Sequence, residues 1–154
     1  MISIDRVDPR GEAALRLSEL SWAELNGLYR DIDHDEFLAI DFASARSAFV
    51  IANVNGAVAG CGAIRPLQDN VAEVRRMFVE PKMRQLGIGR KIMSALEEIA
   101  RELKYDALQL ETGLRQPPAI RLYESAGYER IAPYGRYRDD PLSVCFKKNL
   151  SNLA

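Results

Sequence analysis

The sequence predicts an α+β fold on a mixed central sheet, and three observations carry that expectation. Short β-rich runs alternate with amphipathic stretches; Asn55-Gly56 marks a tight hairpin between two such runs; and a long segment of three-and-four periodicity, Leu86 to Leu103, follows a strand-like run ending at Val79. The chain has 154 residues, 47% of them hydrophobic, which suits one domain with its own core. No internal repeat, low-complexity tract or linker divides it.

Ile2 to Val7 alternate apolar and polar residues as a half-buried strand does. Asp8-Pro9 then opens a helical pattern through Ala13, Ala14, Leu17 and Leu20, and a second short helix is expected from Trp22 to Tyr29. Asp31 to Glu36 is too charged and aperiodic for a core element and reads as an exposed loop, followed by a helical turn around Phe37 to Ala43. Ala48 to Asn53 and Ala57 to Arg65 form the hairpin strands, because Asn and Gly both tolerate the positive φ of a two-residue turn. After Gln68-Asp69-Asn70, Val71 to Val79 extends this antiparallel meander.

Leu86 to Leu103 has the pattern of a helix lying on a sheet. Ala107 to Leu110 is the next strand, and Pro117 to Ser125 the next helix, with proline where the first turn has no use for an amide donor and Gly127 as the stop. Tyr128 to Ile131 and Leu142 to Lys148 are late strands, separated by a Tyr-, Gly- and Asp-rich excursion.

Charge and composition remove several functions. Lys plus Arg number 21 against 22 Asp plus Glu, a balance without the cationic field that draws in nucleic acid or an anionic membrane surface. There is neither a basic N-terminal stretch followed by an apolar run nor a run of about eighteen apolar residues, so a cytoplasmic protein is expected. Cys61 and Cys145 each lie in an apolar strand-like segment, the setting of buried reduced thiols, and two cysteines with one histidine make a poor zinc set.

The chemistry concentrates between Arg75 and Leu96. A strand ending at Val79, a basic loop and a helix starting near Leu86 would present free backbone N–H groups to an anion, for which phosphate is the natural candidate. Gly87 and Gly89 allow close main-chain approach, and Arg84 and Arg90 add positive charge. The same residues also suit a helix start packed tightly on a neighbouring strand. The dinucleotide GxGxxG and the P-loop Gly-Lys-Ser/Thr signatures are both missing.

Arg84-Gln85-Leu86-Gly87-Ile88-Gly89-Arg90 resembles the RxxGxG motif of the GNAT family of N-acetyltransferases. "AEVRRMFVEP" is similar to that family's fourth strand, "ALQLETG" to its fifth, and "AIRLYESAGYERI" to the helix and turn that follow. The resemblance covers Val71 to Leu150 and implies a sheet splayed between the fourth and fifth strands, with acetyl-CoA as co-substrate and no metal.

By position, the resemblance implies that Met77, Phe78 and Val79 hold the pantetheine arm through main-chain amides, that Gln85 to Arg90, including Leu86 and Ile88, cradle the pyrophosphate, and that Thr112 and Gly113 lie across the splay. Tyr123 matches the tyrosine that protonates the departing thiolate, and Glu73 matches a glutamate used as base, with Glu111 the other candidate. A period of two would put Glu73, Arg75, Met77 and Val79 on one face. Arg115-Gln116-Pro117-Pro118 stands where many members begin this helix with an asparagine that contacts pantetheine.

The acceptor is expected to be a small-molecule primary amine. Asp31 and Asp33, within an acidic run, would favour a cationic amine, whereas Arg75 would favour one carrying a carboxylate. Tyr134 and Tyr137 would either line the cleft or pack against a second copy in a homodimer, and His34, among acids, fits a surface loop. The alternatives are a catalytically silent acyl-CoA sensor and a protein N-acetyltransferase.

Overall fold

The computed structural model describes residues 1–150. Seven strands form one sheet in the order β1-β2-β3-β4-β5-β7-β6: β1 Ile2–Val7, β2 Ala48–Val54, β3 Ala57–Gln68, β4 Val71–Val79, β5 Ala107–Gly113, β6 Glu129–Ile131 and β7 Ser143–Asn149. Every pairing is antiparallel except β4 with β5. The helices are α1 Glu12–Tyr29, α2 His34–Leu38, α3 Ile88–Glu102 and α4 Pro117–Ser125.

Side-chain alternation along the strands divides the core into two layers. Ala48, Val50 and Ala52 of β2 join the cluster formed by Ile92, Met93 and Leu96 of α3 and Tyr123 of α4, whereas Phe49 and Ile51 join Ala14 and Leu17 of α1 on the other face. The β2–β3 turn carries φ of 50° at Asn55 and 87° at Gly56, both positive as the Asn-Gly reading requires.

Two expectations need correction before the site. The two predicted N-terminal helices are one, α1, because nothing between Leu20 and Trp22 breaks a helix and Ser21 is buried rather than exposed at a turn. The acidic run is not all loop: His34 to Leu38 is helical, and Asp33 accepts from the Glu36 backbone N–H at 2.8 Å as its N-cap.

The larger correction concerns β4. Cys61 pairs with Phe78 but Ala63 with Arg75, so Arg76 and Met77 oppose the single residue Gly62, and Arg76 has φ of 62°. This is a bulge, and it reverses the alternation. Met77 and Val79 therefore join the α3-side core while Phe78 joins the α1 side, so Met77 and Val79 do not share a face with Glu73 and Arg75. Gly62 makes room for it: a Cβ there would lie 2.7 Å from Ile92 Cγ2 and 2.8 Å from Met77 Sδ.

Candidate active site

The site exists because β4 and β5 part company. They are paired only from Val71 to Glu73 against Ala107 to Gln109, and the bulge carries the rest of β4 away. A groove of about 770 Å³ opens there, a volume suited to a cofactor-sized ligand. Met77, Phe78 and Val79 line one wall, Gln85, Gly87, Ile88, Gly89 and Arg90 form one end, and Gln116, Ala119, Leu122 and Tyr123 form the opposite wall.

At the α3 end, Gly87 is the N-cap in the left-handed region, with φ of 81°, and no side chain caps the helix. The first-turn N–H groups of α3 are thus left for an anion, with the positive end of the helix dipole behind them. Gly89 lies under Leu122 of α4, where a Cβ would be 3.2 Å from Leu122 Cδ2. The expected tight packing is therefore against helix α4 rather than a neighbouring strand, at Gly89, while the turn at Gly87 is open and uncapped.

Not every expected residue serves the groove. Arg84 does line the groove, its guanidinium bound to Glu24 of α1 and to the Val79 carbonyl at 2.8 Å, which ties the loop to β4 and α1. Leu86 is 57% exposed and points away. Thr112 and Gly113 are buried and do not line the groove, and Tyr29 covers Gly113, where a Cβ would lie 1.7 Å from Tyr29 Oη. That tyrosine was not singled out in the sequence. Its hydroxyl accepts from the Arg115 backbone N–H and donates to the Gln116 side chain, each at 3.2 Å, and so fixes the turn into α4. Glu24, Gly27 and Leu28 of α1 close the groove from the same side. Contacts between residues some ninety positions apart leave no local sequence signal.

Tyr123 is buried, edge-on to Tyr128 at 6.1 Å and tilted against Phe146 at 6.0 Å. Burial, then the charge of Glu111, push its phenol above the ordinary range, so it stays protonated and able to donate.

On the α1 side, Glu73 is buried and both its oxygens are engaged: the Tyr134 hydroxyl donates to Oε2 at 2.7 Å and Arg75 Nη1 lies 3.4 Å from Oε1. Arg75 Nη1 also donates to the Tyr137 hydroxyl at 3.2 Å. The two tyrosines of the late excursion thus hold Glu73 and Arg75 and lie edge-on to each other, with ring centroids 5.6 Å apart. The Glu73–Arg75 ion pair and the Tyr134 bond thus engage both carboxylate oxygens of Glu73.

Glu111 differs. Half-buried on β5, it receives a hydrogen bond from Ser143 Oγ at 2.8 Å, and burial pushes its carboxyl up to about 7 against the opposing pull of Ser143 and Arg75. A carboxyl poised there exchanges protons at neutral pH. Asp31 and Asp33 are exposed, Asp33 occupied as a cap, and neither reaches the groove. His34 Nε2 lies 2.7 Å from Glu19 of α1, outside the groove.

The sequence from 14 to 128 matches the model of the acetyltransferase (GNAT) family. The chain belongs to the GNAT family. It is 35% identical to an IAA acetyltransferase of Azospirillum brasilense over 150 residues, covering 97% of this chain and 98% of that one. It is also 34% identical to an uncharacterized N-acetyltransferase of Bacillus subtilis over 95 residues, 60% of this chain and 63% of the other. Its fold matches a GNAT acetyltransferase of Staphylococcus aureus with a TM-score of 0.81 at 21% identity, covering 98% of this chain and 100% of that one. A Salmonella typhimurium structure with acetyl-CoA as its cofactor matches with a TM-score of 0.71 at 22% identity, over 99% and 96%. The protein is an acyltransferase of a family that uses acetyl-CoA.

Proposed function

We propose that the protein transfers the acetyl group of acetyl-CoA to the primary amine of a small molecule, by direct attack within a ternary complex. The observation that carries this is the continuity of the groove, which runs from the uncapped start of α3, past the β4 end, to Tyr123, with Glu111 beyond the splay. In this reading the first-turn amides of α3 and Arg90 receive the pyrophosphate, and the main chain of Met77 to Val79 holds the pantetheine.

A primary amine is mostly protonated at neutral pH, so attack on the thioester carbonyl requires that a proton be taken up. Glu111 takes it. Its pKa of about 7 and its one oxygen left without a hydrogen bond suit it better than Glu73, both of whose oxygens are held by Tyr134 and Arg75. As the C–N bond forms and the C–S bond breaks, the Tyr123 hydroxyl donates to the leaving sulfur. Its raised pKa makes it a hydrogen-bond donor first and a proton donor only as charge builds on the thiolate. A strand-end amide of Phe78 or Val79 stabilises the oxyanion.

Calorimetric titration with acetyl-CoA, followed by a thiol-release screen over amino acids, polyamines, aminoglycosides, IAA and a lysine peptide, tests the reading. Tight binding with release on a small amine supports it. Binding without release on any acceptor favours an acyl-CoA sensor, release on the peptide alone favours a protein substrate, and no binding refutes the cofactor site.

A further inference from the structure

Four arginines line the groove, Arg84, Arg90, Arg115 and Arg121, against a single acid, Glu24. An excess of positive charge thus gathers there in a chain whose net charge is -1. Three of the four are engaged within the protein. Arg84 is paired with Glu24 and bonded to the Val79 carbonyl, and Arg115 Nη1 donates to the Leu28 carbonyl at 2.9 Å with its guanidinium over the Tyr29 ring. Arg90 Nη1 donates to Ser125 Oγ at 3.1 Å, and that hydroxyl donates its own hydrogen to the Leu122 carbonyl at 2.9 Å. Arg121, among the described residues, has neither a hydrogen bond nor an ion pair. Arg76, whose Nε and Nη1 are also without a partner, is closed off beneath Phe37 and Phe42, whereas Arg121 is exposed along the groove.

Position on α4 gives Arg121 its neighbour. Ser125 stands four residues on, on the same helix face with about 5–6 Å between Cβ atoms, so Arg90, held on Ser125, brings a second guanidinium beside that of Arg121. Tyr123, two residues from Arg121, is buried and faces the other way. Two cations therefore converge with no carboxylate between them; Glu124 is exposed, does not line the groove and pairs with neither. Guanidinia so placed repel each other, and a dianion between them relieves the repulsion while accepting from both. Arg90 also lies in the first turn of α3, three residues from the Gly87 N-cap, so the place for that dianion adjoins the turn left open for a pyrophosphate.

Coenzyme A carries such a group one sugar ring from its pyrophosphate, the phosphate monoester on its ribose, which like other phosphate monoesters holds a charge of about -1.5 to -2 at neutral pH. We propose that Arg121, with Arg90 beside it, binds this ribose phosphate, so that the groove distinguishes coenzyme A from its dephospho form. This rests on the cofactor groove of the transferase reading above and adds a second anion site to it.

Calorimetric titrations with coenzyme A and with dephospho-coenzyme A need no acceptor and test the proposal in the wild type, Arg121→Gln and Arg121→Lys, at low and high ionic strength. The side chain is exposed and unpartnered, so both variants should melt with the wild type. The wild type should bind coenzyme A at least about tenfold more tightly than the dephospho form. Arg121→Gln should remove most of that preference by weakening coenzyme A alone, with affinity for the dephospho form changed by less than about twofold. Arg121→Lys should keep part of the preference, as a point charge without the bidentate fork, and salt should narrow it. Equal wild-type affinity for the two ligands, or a preference that survives Arg121→Gln, overturns the proposal. Equal weakening of both ligands by Arg121→Gln overturns it too, because it shows a diffuse field in place of a contact. Binding of neither ligand refutes the cofactor groove and the subsite with it, whereas binding of both without discrimination leaves the groove standing and removes the subsite alone.

Discussion

Replacing Glu111 by glutamine separates the proton acceptor from everything else in the cleft. The amide keeps its size and still accepts from Ser143 Oγ, while Arg75, Glu73 and Asp140, the charges that act on it, remain. Folding raises the Glu111 pKa from an ordinary 4.5 to about 7, chiefly through burial, a difference worth about 3 kcal/mol. Because the folded value lies above the unfolded one, holding Glu111 ionised destabilises the native state. That cost is nearly absent below pH 4.5, grows through the interval and is complete above pH 7. Glu111→Gln should therefore melt close to the wild type at pH 4.5 and higher at pH 8, by about 6–12 °C on the usual 2–4 °C per kcal/mol for a chain of this size. Turnover should move the other way, with a loss of about 100-fold at pH 8. Wild-type kcat at pH 6 should be about a tenth of its value at pH 8, and the variant should lose this step while keeping whatever slope the acceptor amine contributes. Calorimetric or fluorescence melts across pH and stopped-time thiol release give both curves. A variant that melts no higher than the wild type at pH 8, or whose pH–rate profile keeps the step, refutes the assignment.

Gly87→Val places a β-branched residue at φ of 81° and a side chain in the phosphate turn; acetyl-CoA affinity measured by calorimetry should fall by at least about tenfold, and unchanged affinity would remove the turn from the cofactor site. Tyr123→Phe keeps the packing against Tyr128 and Phe146, so acetyl-CoA should bind within about twofold of wild type while kcat falls about 100-fold; a wild-type rate would exclude Tyr123 from the chemistry. Gly113→Ala should destabilise by about 1–3 kcal/mol in denaturant unfolding, because its Cβ displaces Tyr29 and frees the Gln116 turn. Tyr29→Ala should then absorb most of that cost in a double-mutant cycle, and strictly additive effects would contradict the contact.

Most of the fold was legible because its signals are local. Asn55-Gly56 encodes a hairpin through backbone permissiveness, Leu86 to Leu103 repeats on a helical period, and Pro117 and Gly127 bracket α4. The end of the groove at the start of α3 was legible for the same reason, since Gly87, Gly89 and the preceding strand end are close in the chain. The β4 bulge was not: Arg75-Arg76-Met77 contains neither Gly nor Pro, and the irregularity arises from the register that β3 imposes across Gly62. Missing it put Met77 and Val79 on the wrong face.

The sequence by itself determined most of the order of elements, the family and the glycine turn that opens α3, because each depends on residues within a few positions of one another. Tertiary structure alone decided the surroundings of Glu73 and Glu111. How many oxygens of Glu73 and of Glu111 are engaged, which arginine is paired and which is stranded, and what Tyr29, Tyr134 and Tyr137 hold all depend on chain segments tens of residues apart meeting at low dielectric. There, burial and the single nearest partner set the charge state of a side chain, and neither quantity is written in its own neighbourhood of the sequence.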